Sequence, residues 1–292
     1  MTEMLIDRLY PGRRRASHMV VRLVLAALAG LLVAVYAGNL CAQPLEVPRH
    51  AFTVGAGLEY LGSRDDIGSP LRYEGMGFPL RLAYSGQAHL NHFHEFNAAF
   101  SFTGFNASHL RAAIADEQSH IAETAFVNVA YGQFFRLSST RIGRLFLGPQ
   151  LRSLVFFRSY QYEPNQIGSV EVWDAVTSLD LAARLRHRIG RHHHFDLGIG
   201  LPLLAYVLRP GYAVRGDERV RMVYHRLEVF TSGRFATWNT LQMVNTTLQY
   251  GFQFAANWRV DATHNFSLFH YSEPLTTRGM NHRLTVGVSF LF

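Results

Sequence analysis

Charged residues recur along segments in which apolar and small polar residues alternate. In a β-strand every second side chain points to the same face, and these charges fall on the face otherwise occupied by Gly, Ser, Thr, Asn and Gln. The set comprises Glu59, Arg81, Glu95, Asp180, Arg184 and Arg283, with Asp196, Gln249 and Gln253 in equivalent positions. Carboxylates and guanidinium groups on one face can pair with each other or set the selectivity of a narrow conduit. Glu59 and Arg81 are the predicted pair.

A hydrolytic site would need a nucleophile, a base and an orienting group within mutual reach. Ser153 and His264 interrupt otherwise apolar faces, but they belong to segments far apart in the strand order, so no dyad is predicted. Ser178 and Ser232 are two further serines whose contact with a His would indicate an enzyme. The sequence has no GxSxG nucleophile elbow. We therefore predict no catalytic residues and keep a lipid- or peptide-hydrolysing enzyme as an alternative.

The chain contains 15 histidines, which raises the question of a metal site. Residues 192–194 are three adjacent histidines, but adjacent side chains of a strand point to opposite faces and make a poor chelate. His92 and His94 share a face, yet no carboxylate or Cys accompanies them in a recognised ligand pattern. We predict no metal and no cofactor.

Arg215, Gly216 and Asp217 form the tripeptide through which some ligands engage integrins. The neighbouring charged residues are equally typical of a solvated loop. The sequence contains no Gly-rich segment with the spacing of a phosphate-binding loop or of a dinucleotide-binding motif. Adhesion through the segment 208–239 is a second alternative function.

The elements that carry these residues are predicted to be strands with one apolar face. The final segment is the most regular example. Leu284, Val286, Val288, Phe290 and Phe292 share one face, and Arg283, Thr285, Gly287 and Ser289 share the other. One apolar face and one small or polar face suit a wall between lipid and a polar lumen.

This ending, with Phe292 as the last residue, resembles the C-terminal insertion signal of outer-membrane β-barrels of Gram-negative bacteria. The resemblance implies that the apolar face of the segment Leu284 to Phe292 is an insertion signal recognised by the barrel assembly machinery. It also implies a location in the bacterial outer membrane, among lipid and lipopolysaccharide. It indicates no particular family of barrels.

The same alternation predicts ten strands, joined by short and long connections in strict alternation. The long connections are near 61–77, 104–122, 159–170, 208–239 and 272–281. The strands are at 52–60, 78–84, 93–103, 123–136, 144–158, 171–187, 194–207, 240–256, 258–271 and 282–292. We therefore predict an all-β fold, a single transmembrane antiparallel up-and-down β-barrel of ten strands. An extra hairpin within 224–238 would raise the number to twelve, and a soluble β-domain would explain the loop lengths less well.

Residues 1–42 have the build of a secretory signal peptide, with a basic segment, an apolar stretch at 23–38 and the small residue Ala42 at the predicted cut. Met19 is an alternative start. Cleavage would remove Cys41, the only cysteine, and with it any thiolate site or disulfide. Residues 43–50 would be a short periplasmic lead, and 51–292 the barrel.

All 28 basic residues are arginine. Without residues 1–42 the chain keeps 23 arginines against 19 acidic residues, an excess too small to indicate nucleic acid as a partner. Arginine binds phosphate bidentately, which suits a surface among lipopolysaccharide. The predicted function is a non-enzymatic outer-membrane barrel with a structural or narrow-pore role. The solute, if any, and the oligomeric state stay open.

Overall fold

The computed structural model describes residues 50–65, 69–89, 91–107, 121–140, 142–161, 169–190, 192–209, 233–273 and 276–292. These residues form 11 β-strands, and none of them belongs to a helix able to cross a membrane. The strands are β1 (His50–Asp65), β2 (Ser69–His89), β3 (His92–Ala107), β4 (Ile121–Thr140), β5 (Gly143–Gln161), β6 (Ser169–Ile189), β7 (His193–Leu208), β8 (Arg234–Ala236), β9 (Leu241–Ala255), β10 (Trp258–Tyr271) and β11 (Thr277–Leu291).

The sheet closes on itself as a barrel. Each long strand pairs antiparallel with its neighbours along the chain, and β1 pairs with β11 from Ala51↔Leu291 to Asp65↔Thr277. β7 pairs directly with β9 through His193–Gly200, so no other strand lies between them at this level. The prediction of ten wall strands is confirmed. The alternative of twelve placed an extra hairpin within 224–238, of which residues 224–232 lie outside the described part of the chain. The three residues of β8 only extend the wall beside the end of β7.

The strands are longer than the sequence indicated: the first predicted loop is largely strand, and half of the last predicted loop is strand. Residues 61–65 and 69–77 of the predicted first loop belong to β1 and β2, and 277–281 belong to β11. The strands extend because their backbones stay in register: the pairs Leu61↔Gly75 and Leu61↔Asn281 continue the hydrogen-bonded ladders past the point where the apolar alternation ends. The barrel thus has a short-turn end, with connections at 90–91, 141–142, 190–192 and 256–257, and an opposite loop end.

The outer surface of the wall is apolar. Phe78 and Phe102 expose 77% and 64% of their surface, while Ser101, Thr263 and Ser289 on the inner face are fully buried. A surface this apolar requires a bilayer as its solvent. At the C-terminal end the exposed apolar residues run from Leu284 to Phe292, a length close to the roughly 10 residues of a membrane-spanning strand.

An aromatic girdle surrounds the short-turn end on the outside. Tyr84 contacts His94, His50 stacks on Phe292 at 5.3 Å, and Trp258 packs on Phe290 at 5.2 Å between ring centroids. Amphipathic rings of this kind gather where a membrane meets water. The girdle fixes one edge of the apolar band.

Candidate functional site

The lumen contains a layer of ion pairs at mid-height, which we call the polar layer. It consists of the acidic residues Glu59, Glu95 and Asp180 and the arginines Arg152, Arg184 and Arg283. Arg283 donates from Nε and Nη2 to Glu59 Oε1 at 2.9 and 2.6 Å, and Asn281 Nδ2 donates to the same oxygen at 2.7 Å. Ser101 also donates to Glu59. This carboxylate is fully buried and fully satisfied.

The predicted pair of Glu59 with Arg81 is wrong. In the structure Glu59 pairs with Arg283. Glu59 lies directly opposite Arg283 across the β1–β11 ladder. Arg81 lies opposite Gly55 on β1, four residues nearer the short-turn end than Glu59. Strand register, which the alternation does not reveal, therefore decides the partner.

The other predicted lumen charges lie on the opposite side of the barrel interior. Arg184 binds Glu95, and Gln150 Nε2 donates to the same carboxylate at 3.4 Å. Asp180 accepts from Arg152 Nε at 3.0 Å and from Ser178 at 2.6 Å. All six predicted lumen residues are on the inner face, and three of them are at most 3% exposed: Glu59, Asp180 and Arg283.

Arg152, a member of the polar layer, and Gln150, which contacts it, were missed from the sequence. Arg152 Nη2 donates to Gln150 Oε1 at 2.8 Å and thereby joins the Asp180 and Glu95 contacts into one network. Their signal was present, because both residues alternate with the outward Leu151 on β5. A second inward pair, Arg158 with Asp174, follows the same alternation nearer the loop end.

An apolar cluster lies inside the lumen on the loop-end side of the polar layer, and we call it the apolar plug. Phe126 and Phe156 pack at 4.7 Å between ring centroids, and Phe156 and Phe269 at 5.5 Å. Its buried members are Phe126, Leu154, Phe156, Ala205, Val207, Ala236, Leu241, Met243 and Tyr271. The Arg283 guanidinium lies 5.1 Å from the Phe126 ring centroid and links the two layers.

The other side of the polar layer opens into a cavity of about 230 Å³ at the short-turn end. Its wall includes Arg81, Glu95, Arg144, Arg186 and Asp261. Beside it, Phe93 stacks on Phe134 at 4.8 Å, and the Arg186 guanidinium lies 3.6 Å from the Phe93 ring centroid. The lumen is therefore filled in its centre and loop-end half and hollow near the short turns.

The serines considered as nucleophiles have other partners. Ser153 Oγ lies 3.2 Å from Thr177 Oγ1, and Ser178 donates to Asp180. His264 stacks on His282 at 5.7 Å between ring centroids and lies four strands away from Ser153 by the shorter path around the barrel. Ser232 and the tripeptide at 215–217 lie outside the described residues.

The histidines at the short-turn end mostly join the aromatic girdle. His193 Nδ1 lies 2.8 Å from the Tyr250 hydroxyl, while His194, on the opposite face, lines the cavity. His92 stacks on Phe135, and His94 contacts Tyr84 with the two rings tilted by 42°. Within the described part of the chain, no three His, Cys, Asp or Glu side chains are grouped as a metal would require.

No protein-family model and no curated protein sequence matches the chain. Among solved structures, the outer-membrane protease OmpT from Escherichia coli is similar with a TM-score of 0.52 and 8% identity, covering 86% of this chain and 99% of that chain. The translocator domain of the autotransporter NalP from Neisseria meningitidis has a TM-score of 0.45 and 10% identity, covering 92% and 98%.

Likeness at such low identity shows the fold alone. The chain has the fold of Gram-negative outer-membrane β-barrels, which confirms the predicted fold class. The exposed apolar wall and the girdle agree with the predicted outer-membrane location.

Proposed function

We propose that the protein is a non-enzymatic, structural barrel of the outer membrane that does not conduct solutes in the state described. The observation that carries this proposal is the filled lumen. The polar layer closes its centre with buried, mutually satisfied ion pairs, and the apolar plug covers that layer on the loop-end side. A small barrel can be filled by its own side chains in this way. A permanently open narrow pore is therefore disfavoured.

The proposal of a non-enzymatic role is supported by the contacts of the candidate nucleophiles. Ser153 and Ser178 contact Thr177 and Asp180, and among the described residues neither has a His partner. A serine hydroxyl with no His to take its proton is a weak nucleophile at neutral pH, and the Asp180 carboxylate beside Ser178 is already bound by Arg152. A serine hydrolase built on Ser153 or Ser178 is therefore disfavoured, and Ser232 lies outside the described residues.

Planar-bilayer recording tests the closed lumen. We expect no stable conductance steps from the wild-type protein in a neutral lipid bilayer. The double variant Phe126→Ala/Arg283→Ala removes the contact that joins the two layers and should conduct intermittently. Phe102→Ala, which removes an outward-facing ring, is the control and should show no conductance. Steady wild-type conductance would contradict the proposal.

We further propose that lipopolysaccharide is a partner at the loop end. A row of outward arginines supports this, because Arg64 lies opposite both Arg278 and Arg72 across its two ladders. The row follows the last outward apolar residues, Met76 and Met280. On β2 the outward Glu74 lies between Met76 and Arg72, and it offsets part of the charge through its ion pair of 2.6 Å with Arg72. Like charges placed opposite each other destabilise a sheet, and phosphates at the membrane edge would relieve that repulsion.

The barrel assembly machinery is the proposed partner during biogenesis. Support comes from β11, whose outward residues carry the regular apolar alternation up to the C-terminus. Phe292 also closes the seam of the barrel, with backbone hydrogen bonds of 2.9 and 3.0 Å to His50.

A further inference from the structure

The cavity at the short-turn end carries more positive than negative charge. Its wall contains five arginines and three acidic residues: Arg81, Arg144, Arg186, Arg188, Arg259, Glu95, Asp196 and Asp261. Such a cavity, bounded by a low-dielectric wall, concentrates the electrostatic potential that its charges create. The sign of that potential favours anions.

Each acidic residue of this wall is already bound to an arginine. Glu95 is bound by Arg184, and the Nε atoms of Arg186 and Arg259 lie 2.8 Å from the carboxylates of Asp196 and Asp261, respectively. Two of the other arginines, Arg81 and Arg144, have no carboxylate in contact among the described residues. Arg81 and Arg144 therefore carry part of the cavity's excess positive charge.

Arg81 is the more deeply placed of the two and is 6% exposed. Its Nε donates to Asn97 Oδ1 at 3.2 Å, and its Nη1 donates to Thr263 Oγ1 at 2.9 Å. Both acceptors are neutral, and within the described part of the chain Nη2 has no acceptor. Asp261 and Glu95 act on Arg81 only from beyond contact distance. A buried charge with no counter-charge in contact is costly, and a bound anion would supply a direct one.

Arg144 lies at the start of β5, beside the short turn at 141–142, and is half-buried. Both arginines thus line the same cavity, Arg81 in its interior and Arg144 at its rim. An anion that enters from the short-turn end meets the rim charge first and the interior charge last.

We propose that this cavity binds a small soluble oxyanion, a phosphate or carboxylate, with Arg81 as the interior contact and Arg144 at the rim. Guanidinium groups bind such anions with charge-assisted, often bidentate hydrogen bonds. A cavity of about 230 Å³ limits the ligand to metabolite size. The barrel wall separates the cavity from the bilayer, so a periplasmic solute fits this site better than a lipid head group.

Isothermal titration with inorganic phosphate tests the site on the full mature chain, folded in an uncharged detergent at low ionic strength. The wild-type protein should bind phosphate saturably. Arg81→Gln should weaken binding at least tenfold, and Arg144→Gln severalfold. Arg234→Gln, at the loop end and with a side chain 67% exposed, is the matched control and should bind as the wild type does.

Absence of saturable binding by the wild-type protein, or the same loss in Arg234→Gln, would overturn the proposal. If Arg81→Gln does not fold, as judged by gel mobility, Arg144→Gln at the rim decides the outcome. Repeating the titration in nanodiscs with added phosphatidylglycerol separates the two sources of phosphate, because competition by this lipid would overturn the assignment to a soluble anion. Failure of this site and failure of the closed lumen are distinguishable, because titration measures anion binding and bilayer recording measures conductance.

Discussion

At the scale of single residues, the interior of this barrel is organised by cross-strand pairing. Glu59 and Arg283 are 224 positions apart in sequence and yet share a hydrogen bond, because β1 and β11 close the barrel. Such a pair is stabilising only while both partners remain, since removing one leaves a buried charge behind. The polar layer is thus a set of mutually dependent residues.

Gly198 provides the space that one of these pairs needs. A Cβ at this position would lie 1.5 Å from Arg184 Nη1, so Gly198→Ala must displace the guanidinium that binds Glu95. We expect a loss of roughly 2 kcal/mol of stability from overpacking, seen as a lower midpoint temperature for loss of the compact gel band. Gly104→Ala is the matched control, because no atom lies within 4 Å of the Cβ added there. An equal midpoint in both variants would contradict this account.

At the scale of elements, alternation identified the strands and their faces, but it underestimated how far they extend. β2 runs for 21 residues, well beyond the apolar segment 78–84. Ladder hydrogen bonds continue wherever a neighbouring strand is in register, whether or not the side chains alternate. The extended parts of β1, β2 and β11 carry the arginine row outside, whereas the buried residues of the apolar plug lie within the predicted strands, apart from Ala236.

The C-terminal strand offers a test of the insertion signal. Phe292→Gln keeps the backbone hydrogen bonds to His50 but removes the ring that stacks on His50 at the girdle. We expect a severalfold lower yield of assembled, heat-modifiable barrel in cells, with Phe292→Tyr close to the wild type. Phe102→Gln changes an equally exposed outward ring elsewhere, 64% against 58%, and should assemble better than Phe292→Gln. Equal yields from Phe102→Gln and Phe292→Gln would mean that Phe292 has no special role.

At the scale of the whole molecule, the protein is a wall whose outside is apolar and whose inside is polar. This inverts the arrangement of a soluble β-domain, which buries its apolar face. Charge is confined to the lumen and to the two ends, where the arginine row at the loop end contrasts with the aromatic girdle at the short-turn end. The two ends are therefore suited to different surroundings.

The arginine row can be tested by the response to lipopolysaccharide. The triple variant Arg64→Gln/Arg72→Gln/Arg278→Gln should be about as stable as the wild type in neutral detergent, because it loses like-charge contacts but also the exposed Arg72–Glu74 ion pair. Adding lipopolysaccharide should raise the unfolding midpoint of the wild type and raise that of the variant less. Arg136→Gln, an exposed arginine near the short turns, should respond like the wild type. A full response of the triple variant would exclude the row as the binding surface.

The two-residue alternation by itself determined the ten wall strands and their lipid-facing sides. This pattern is local, because each side chain's face follows from its neighbours in sequence. It therefore also put Glu59, Arg81, Glu95, Asp180, Arg184 and Arg283 on the inner face, where the structure has them. The signal peptide at 1–42 stays a prediction, since it precedes the described residues.

Only the tertiary structure decided which inward residues meet. Register and closure paired Glu59 with Arg283, left Arg81 without a carboxylate in contact among the described residues, and gathered Phe126, Phe156 and Met243 into one plug. These contacts join distant strands across the lumen, so they depend on how the whole sheet is offset when it closes. For the same reason a filled centre and a hollow short-turn end could not be derived from any single segment of the sequence.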